Sequence, residues 1–291
     1  MPIAQPARAP SRGTRPQPAA PRRALAPLRR ELAGEIEWDE TMRVCHATDG
    51  SVYRELPLAV ARPKNVADLR ALLGFARTHG VPLIPRAAGT SLAGQVVGAG
   101  LVVDVGFHLN RILEIDAPNR RVRVQPGVVR DELNLALRPH GLMFAPETST
   151  SNRAMIGGMA GNNSCGANSL RFGSTRDHLL EAKVLLADGS ETTLRALAPE
   201  EFAAKCAGRG LEAAIHRWLA RRLGDPATAA EIRREFPKPS IRRRNTGYAV
   251  DLLLRQRPFA ADGAPFNLCT LLAGSEGTLA LATEFTLNLV P

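Results

Sequence analysis

Residues 85–94 read PRAAGTSLAG and residues 155–166 read MIGGMAGNNSCG. Both are crowded with Gly, Ala, Ser, Thr and Asn, and neither contains an Asp or Glu. In the first, Pro85 ends an apolar run, and Ala87, Ala88 and Gly89 carry no side chain that would hold a ligand off the backbone. Thr90 and Ser91 add hydroxyls beside bare N–H groups, and successive N–H groups in a tight turn make a concave nest that favours phosphate even without a Lys or Arg. The stretch has neither the G-K-[ST] of a P-loop nor the G-x-G-x-x-G dinucleotide fingerprint. An ordinary surface turn is the competing reading.

In the second stretch, Gly157 and Gly158 fall at a predicted helix start, where close approach to the first-turn donors suits a diphosphate. Asn162 and Asn163 offer carboxamides that both donate and accept, matched to hydroxyls or ring edges. A glycine-rich helix packed on a neighbour explains the two glycines but not the Asn-Asn-Ser-Cys-Gly run that follows. A third stretch, GSEGTLA at 274–280, places Glu276 between two glycines on a turn into a strand, and a plain hairpin turn reads equally well there.

Working outward, a short buried strand is predicted near 57–62. The run RPKNVADLRALLGFARTHG follows as a helix, with Asn65 able to cap it and Asp68 at its third position. Val66, Leu69, Leu72, Leu73 and Ala76 form its apolar stripe and Gly80 ends it. VPLIPR and GLVVDV are further strands on either side of the first small-residue loop, a succession that favours a parallel βαβ unit. RILEID and RRVRVQPG read as a strand pair joined at Ala117-Pro118-Asn119, and VVRDELNLALRPHG as an amphipathic helix closed by Gly141. HLLEAKVLLADGSETTL gives a hairpin turning at Asp188-Gly189. Residues 196–235 are helical and charged, and FNLCTLLAGSEGTLALATEFTLNLVP runs helix, glycine turn, long strand. The stop at Pro291 directly after a strand leads us to expect further protein beyond it.

The 291 residues carry a net charge of +10, but seven Arg and no acid lie in residues 1–30, leaving only +3 on the remainder. That near-neutral balance needs no polyanionic partner. Residues 1–30 are read as a disordered Arg/Pro/Ala-rich leader, with an organelle transit peptide as the alternative. No apolar run approaches the roughly 18–20 residues of a membrane helix. Cys45, Cys165, Cys206 and Cys269 are scattered without C-x-x-C or His at zinc spacing, so no metal site or iron–sulfur cluster is expected. A reducing cytoplasm is the expected location.

The ordered stretches PRAAGTSLAGQVVGAGLVVDV, RVRVQPGVVRDELN, PETSTSNRAMIGGMAGNNSCGANSLRFGSTRDH, RRNTGYAVDLLL and LLAGSEGTLALATEFTLNLVP together resemble the FAD-binding (PCMH-type) domain of the vanillyl-alcohol oxidase / p-cresol methylhydroxylase superfamily. Within it the D-lactate, glycolate and D-2-hydroxyglutarate dehydrogenase branch is the most similar, and NNSCG and RRNTGYA resemble long bacterial proteins that fuse this domain to an iron–sulfur domain. The resemblance covers residues 31–291. It implies an α+β fold of two α+β subdomains, about 31–110 and 111–291, with FAD between them and residues 196–235 inserted in the second. It implies cofactor contacts from Pro85, Arg86, Ala87, Ala88, Gly89, Thr90, Ser91, Gly94 and Gln95. The second segment would contribute Pro146, Thr148, Ser149, Ile156, Gly157, Gly158, Asn162, Asn163, Ser164 and Gly166, and the third Glu276 and Gly277. The usual Gly-Gly of the first loop is Ala87-Ala88 here, both still small. No His stands in that loop where covalent relatives attach the flavin, so non-covalent FAD is expected.

The same resemblance implies oxidation of a small D-2-hydroxy acid (lactate, glycolate or 2-hydroxyglutarate type) by hydride transfer to FAD. It assigns the substrate groups, and hence the unidentified catalytic residues, to a C-terminal cap beyond Pro291, with electrons leaving through an iron–sulfur domain or subunit. Arg244, Asn245 and Tyr248 of RRNTGYA are candidates to face the ring or a substrate carboxylate, with a structural salt bridge as the alternative for Arg244. Competing functions are a flavin-binding subunit without turnover on its own, a cell-wall precursor reductase of the same fold, and a nucleic-acid binder using the leader. The last lacks an aromatic platform for bases. A peripheral position at the inner membrane is the alternative location to the cytoplasm.

Overall fold

The computed structural model describes residues 19–291 other than 242, 245 and 246. The first part of the chain supplies α1 (Ala19–Glu31), β1 (Glu35–Glu37), α2 (Glu40–Cys45), β2 (Ala59–Arg62), α3 (Val66–His79), β3 (Leu83–Arg86) and β4 (Leu101–Asp104). Both β2 and β3 pair parallel to β4, and β1 adds antiparallel to β2, giving the order β1-β2-β4-β3. The local signals for α3 act as read: Asn65 accepts the N–H of Asp68 at 2.9 Å, and Gly80 ends the helix at φ 63°, where a residue without Cβ is unstrained. Leu69, Leu72, Leu73, Phe75 and Ala76 are buried, whereas Val66 is only partly covered. Asp68 is buried too, its carboxylate accepting N–H groups of Ala33, Gly34 and Lys64 at 2.9, 2.9 and 2.8 Å. It ties the chain entering β1 to the head of α3.

The expectation of an unfolded leader needs correction over residues 19–30. These form α1, and Leu25 and Leu28 are buried in the same core as Ile36, Leu69, Leu72 and Val103. Arginine and proline dominate the composition of that segment, and the average hides an apolar face at helical spacing, continued by Ala24 and Leu32, that packing against α3 makes worthwhile. Residues 1–18 of the leader lie outside the described residues.

The rest of the chain builds an all-antiparallel sheet in the order β5-β6-β9-β7-β8. After β5 (Ile112–Asp116) and β6 (Arg121–Val124) come α4 (Arg130–Leu137), α5 (Ile156–Asn162), α6 (Ser169–Phe172) and α7 (Thr175–His178). The hairpin β7 (Leu179–Leu185) and β8 (Glu191–Leu194) leads into α8 (Pro199–Ala207), α9 (Gly210–Gly224) and α10 (Pro226–Glu235), then α11 (Val250–Leu253), α12 (Cys269–Leu272) and β9 (Leu281–Asn288). Along β9 burial alternates residue by residue, as a strand with one covered face requires. Its inward Phe285 and Leu287 join Val122, Leu133, Phe144 and Met159 in a second core. The helical block has its own core, centred on Phe202 and Phe266 with ring centroids 4.7 Å apart. No helix among the described residues is long and apolar enough to cross a membrane.

Candidate functional site

The three small-residue stretches, far apart in sequence, meet. A Cβ added at Gly277 would lie 3.0 Å from Pro85, one at Gly158 3.3 Å from Ala87, and one at Gly161 3.7 Å from the Cα of Glu276. Backbone bonds fix two of the three together: Glu276 N–H to Gly161 O at 2.9 Å and Gly274 N–H to Ala160 O at 3.0 Å. Asn162 Nδ2 also donates to Glu276 Oε1 at 2.9 Å. Between the stretches lies a cleft of about 430 Å³, a size typical of small-molecule sites. Its apolar wall includes Val105, Leu281 and Phe285.

The β3–β4 loop presents its backbone to this cleft. Among the described residues, no protein acceptor takes the N–H groups of Ala87, Ala88, Gly89, Thr90 or Ser91. Gly89 is left-handed at φ 65°, as a nest of successive donors requires. Thr148, on the same cleft, has a buried hydroxyl oxygen without a partner. Buried polar atoms are normally satisfied, so an unpaired hydroxyl beside unpaired amides points to a polar ligand.

The start of α5 differs from its expected role. Ile156 N–H donates to Val128 O at 2.9 Å and Gly157 N–H to Pro126 O at 2.7 Å, leaving only Gly158 of the first three without a partner among the described residues. A Cβ at Gly157 would come within 2.7 Å of Pro126. Packing and strand-like bonding, rather than a diphosphate, therefore account for Gly157.

The cleft is lined by Pro85, Arg86, Ala87, Ala88, Gly89, Thr90, Ser91 and Gln95 from the first stretch, Thr148, Ser149, Gly157, Gly158, Asn162 and Ser164 from the second, and Glu276 and Gly277 from the third. Gly94, Pro146, Ile156, Asn163 and Gly166 do not line it, and each has a structural task instead. Gly94 at φ 80° closes against Tyr53. Pro146 O accepts from Arg130 Nε at 3.1 Å. Ile156 is fully buried in the second core. Asn163 ends α5 at φ 56° and accepts the N–H of Arg176 at 2.9 Å. A Cβ at Gly166 would sit 2.3 Å from Glu147 O. Arg244 is held by Asp251 at 2.5 Å, both largely buried, so the structural alternative describes it. The Tyr248 hydroxyl meets that of Thr278, neither Arg244 nor Tyr248 lines the cleft, and Asn245 lies outside the described residues. Sequence reasoning missed Thr150, Met155, Ser275 and the apolar wall. Leu281 and Phe285 carry only the alternation of a buried strand, and nothing in that pattern separates a core from a cleft.

Glu276 is the one acidic side chain lining the cleft among the described residues. It holds a left-handed backbone at φ 51°. Burial pushes its carboxyl above the usual range, against the hydrogen bonds from Asn162 and Gln95 that lower it. Burial likewise pushes the Cys269 thiol far above its ordinary value and out of nucleophilic use.

Residues 57–195 match the family model described as FAD binding domain. The D-2-hydroxyglutarate dehydrogenase of Pseudomonas putida is 40% identical over 262 residues, covering 89% of this chain and 25% of that one. Glycolate oxidase subunit GlcD of Bacillus subtilis is 29% identical over 266 residues, covering 90% of this chain and 43% of that one. The solved structure of alkyldihydroxyacetonephosphate synthase superposes with a TM-score of 0.60 at 17% identity, over 94% of this chain and 44% of that one. That likeness shows a shared fold. The chain carries an FAD-binding domain over the residues that family model matches. It spans 25% of the length of the dehydrogenase relative. The residues present fit FAD: unpartnered amides, the unpaired Thr148 hydroxyl, and glycines whose Cβ would crowd the neighbouring stretch.

Proposed function

We propose that this chain is the flavin-holding part of a dehydrogenase for small D-2-hydroxy acids of the lactate, glycolate or 2-hydroxyglutarate type. The carrying observation is the convergence of three side-chain-poor stretches on one cleft whose β3–β4 amides have no protein acceptor. The Ala87–Ser91 amides bind the diphosphate. Gly158, Asn162, Thr148 and Ser149 provide donors and acceptors for the ribityl chain and ring edge, and the wall from Val105, Leu281 and Phe285 excludes water from the site. Bound non-covalently there, FAD would supply a two-electron acceptor for the hydride from the hydroxyl-bearing carbon of the acid. The dehydrogenase relatives at 36% to 40% identity favour this reaction class over a cell-wall precursor reductase.

A second reading keeps the cleft as the flavin site and places the substrate groups on another chain. In it the chain is a flavin subunit that turns over only with a partner providing the substrate groups and an iron–sulfur path for electrons, in the cytoplasm or at the inner face of the membrane. One titration separates the two. The purified chain is reconstituted with FAD, then mixed anaerobically with D-2-hydroxyglutarate, D-lactate or glycolate while the flavin absorbance is followed. Bleaching by one acid supports the first reading, and a stable yellow protein that bleaches only with a partner supports the second. A chain that takes up no flavin contradicts both.

A further inference from the structure

The first stretch contains one ionised group, Arg86, and its surroundings are unusual for an arginine removed from water. It lines the cleft at the end of β3, partly buried. Its guanidinium lies beneath the turn it precedes: a Cβ at Gly89 would fall 2.4 Å from Nη2 and 2.7 Å from Cζ. The only hydrogen bond it makes among the described residues is a long one, Nη1 to His46 O at 3.4 Å. A guanidinium has about five N–H donors in a fixed fork, so most of its capacity is unused.

The nearby carboxylates do not use it. Asp104 accepts the N–H of Gly106 at 2.9 Å and faces His46 Nε2 at 3.6 Å, while Asp49 accepts the N–H of Ser51 at 2.8 Å. Both act on Arg86 through space, without forming an ion pair with it. Two other covered arginines spend their donors on the protein: Arg176 donates to the carbonyls of Thr270, Gly247 and Ala273, and Arg130 to Pro146 O and Asp131. A desolvated, unpaired cation is costly unless an anion joins it. The anion that enters this cleft also meets the free amides of Ala87–Ser91, on the turn directly above the guanidinium.

We propose that Arg86 is the charge-bearing contact for the diphosphate of the flavin nucleotide, reaching it from beneath the Gly89 turn, and that it makes the site select the dinucleotide over flavins lacking phosphate. The proposal rests on the FAD reading above. It also explains Gly89 twice over, by the left-handed turn and by the room the guanidinium occupies.

The test compares FAD with riboflavin on the full chain, by fluorescence quenching at equilibrium, for the wild type and Arg86→Gln, with circular dichroism to verify folding. Loss of a charge-assisted hydrogen bond is expected to weaken FAD about 10- to 100-fold and to leave riboflavin within about twofold. Raising the ionic strength should weaken FAD and not riboflavin in the wild type, and this difference should shrink in Arg86→Gln. If Arg86→Gln does not fold, Arg86→Lys carries the test, with a smaller selective loss of FAD. Equal losses for the two flavins would make Arg86 a structural partner of Asp49 and Asp104 and overturn the proposal, as would unchanged FAD binding. Failure of the wild type to bind either flavin would instead overturn the FAD reading itself, and this assignment with it.

Discussion

The loop between β3 and β4 and the start of α5 look alike in sequence, and in the structure they do opposite things. Both are runs of small residues beside the cleft. The loop's amides from Ala87 to Ser91 find no acceptor among the described residues, whereas Ile156 and Gly157 give theirs to Val128 O and Pro126 O. Small residues thus mark close approach without saying what approaches. In the loop it is the open cleft; at α5 it is the 126–128 backbone. Following each N–H to its acceptor makes the distinction.

The largest expected effect separates the two glycines of α5. Gly157→Ala places a methyl 2.7 Å from Pro126 Cβ and 3.0 Å from its carbonyl oxygen, overpacking that costs about 1–3 kcal/mol. Denaturant unfolding checks it, and the folded fraction should keep its FAD affinity. Gly158→Ala faces only Ala87, at 3.3 Å and across the cleft wall. It should change stability by less than about 1 kcal/mol, because better helix propensity offsets the contact, yet weaken FAD in the same titration used for Arg86. If the two substitutions behaved alike, the contrast between packing and ligand glycines would fail.

The smallest effect concerns Glu276. Its carboxyl is raised by burial, so the folded state keeps the proton to higher pH than the unfolded chain, whose value is about 4.3. In the window above that value the folded state binds more protons, and stability falls as pH rises. Glu276→Gln removes the ionisation and preserves an acceptor for Asn162. Its unfolding free energy should match the wild type in acid and exceed it at neutral pH, as read from urea curves across the range. A variant that is less stable at neutral pH than in acid, relative to wild type, would show that the carboxylate form is the one the fold favours.

Much of this was legible beforehand, for identifiable reasons. Asn65 and Gly80 act within one helix, so local sequence specifies the ends of α3. The hairpin at Asp188-Gly189 is equally local, with Gly189 at φ 87°. The site was legible as a set of stretches because lack of side chains is a property of sequence. The roles inside it were not. Ile156, Asn163 and Gly166 stand among cleft residues in sequence, and only the third dimension sets them against the core, Arg176 and Glu147. The helix α1 was hidden for a related reason: its charge and proline content are visible locally, whereas its burial depends on α3, some forty positions later.

Amide hydrogen exchange with and without FAD tests the central claim most directly, because it reads the N–H groups themselves. The account predicts that the segment spanning Ala87–Ser91 exchanges freely in the unliganded chain and becomes protected on adding FAD, while Ile156 and Gly157 are protected in both states. Unchanged exchange at 87–91 in the presence of saturating FAD, or protection gained at Ile156 and Gly157 instead, would contradict it.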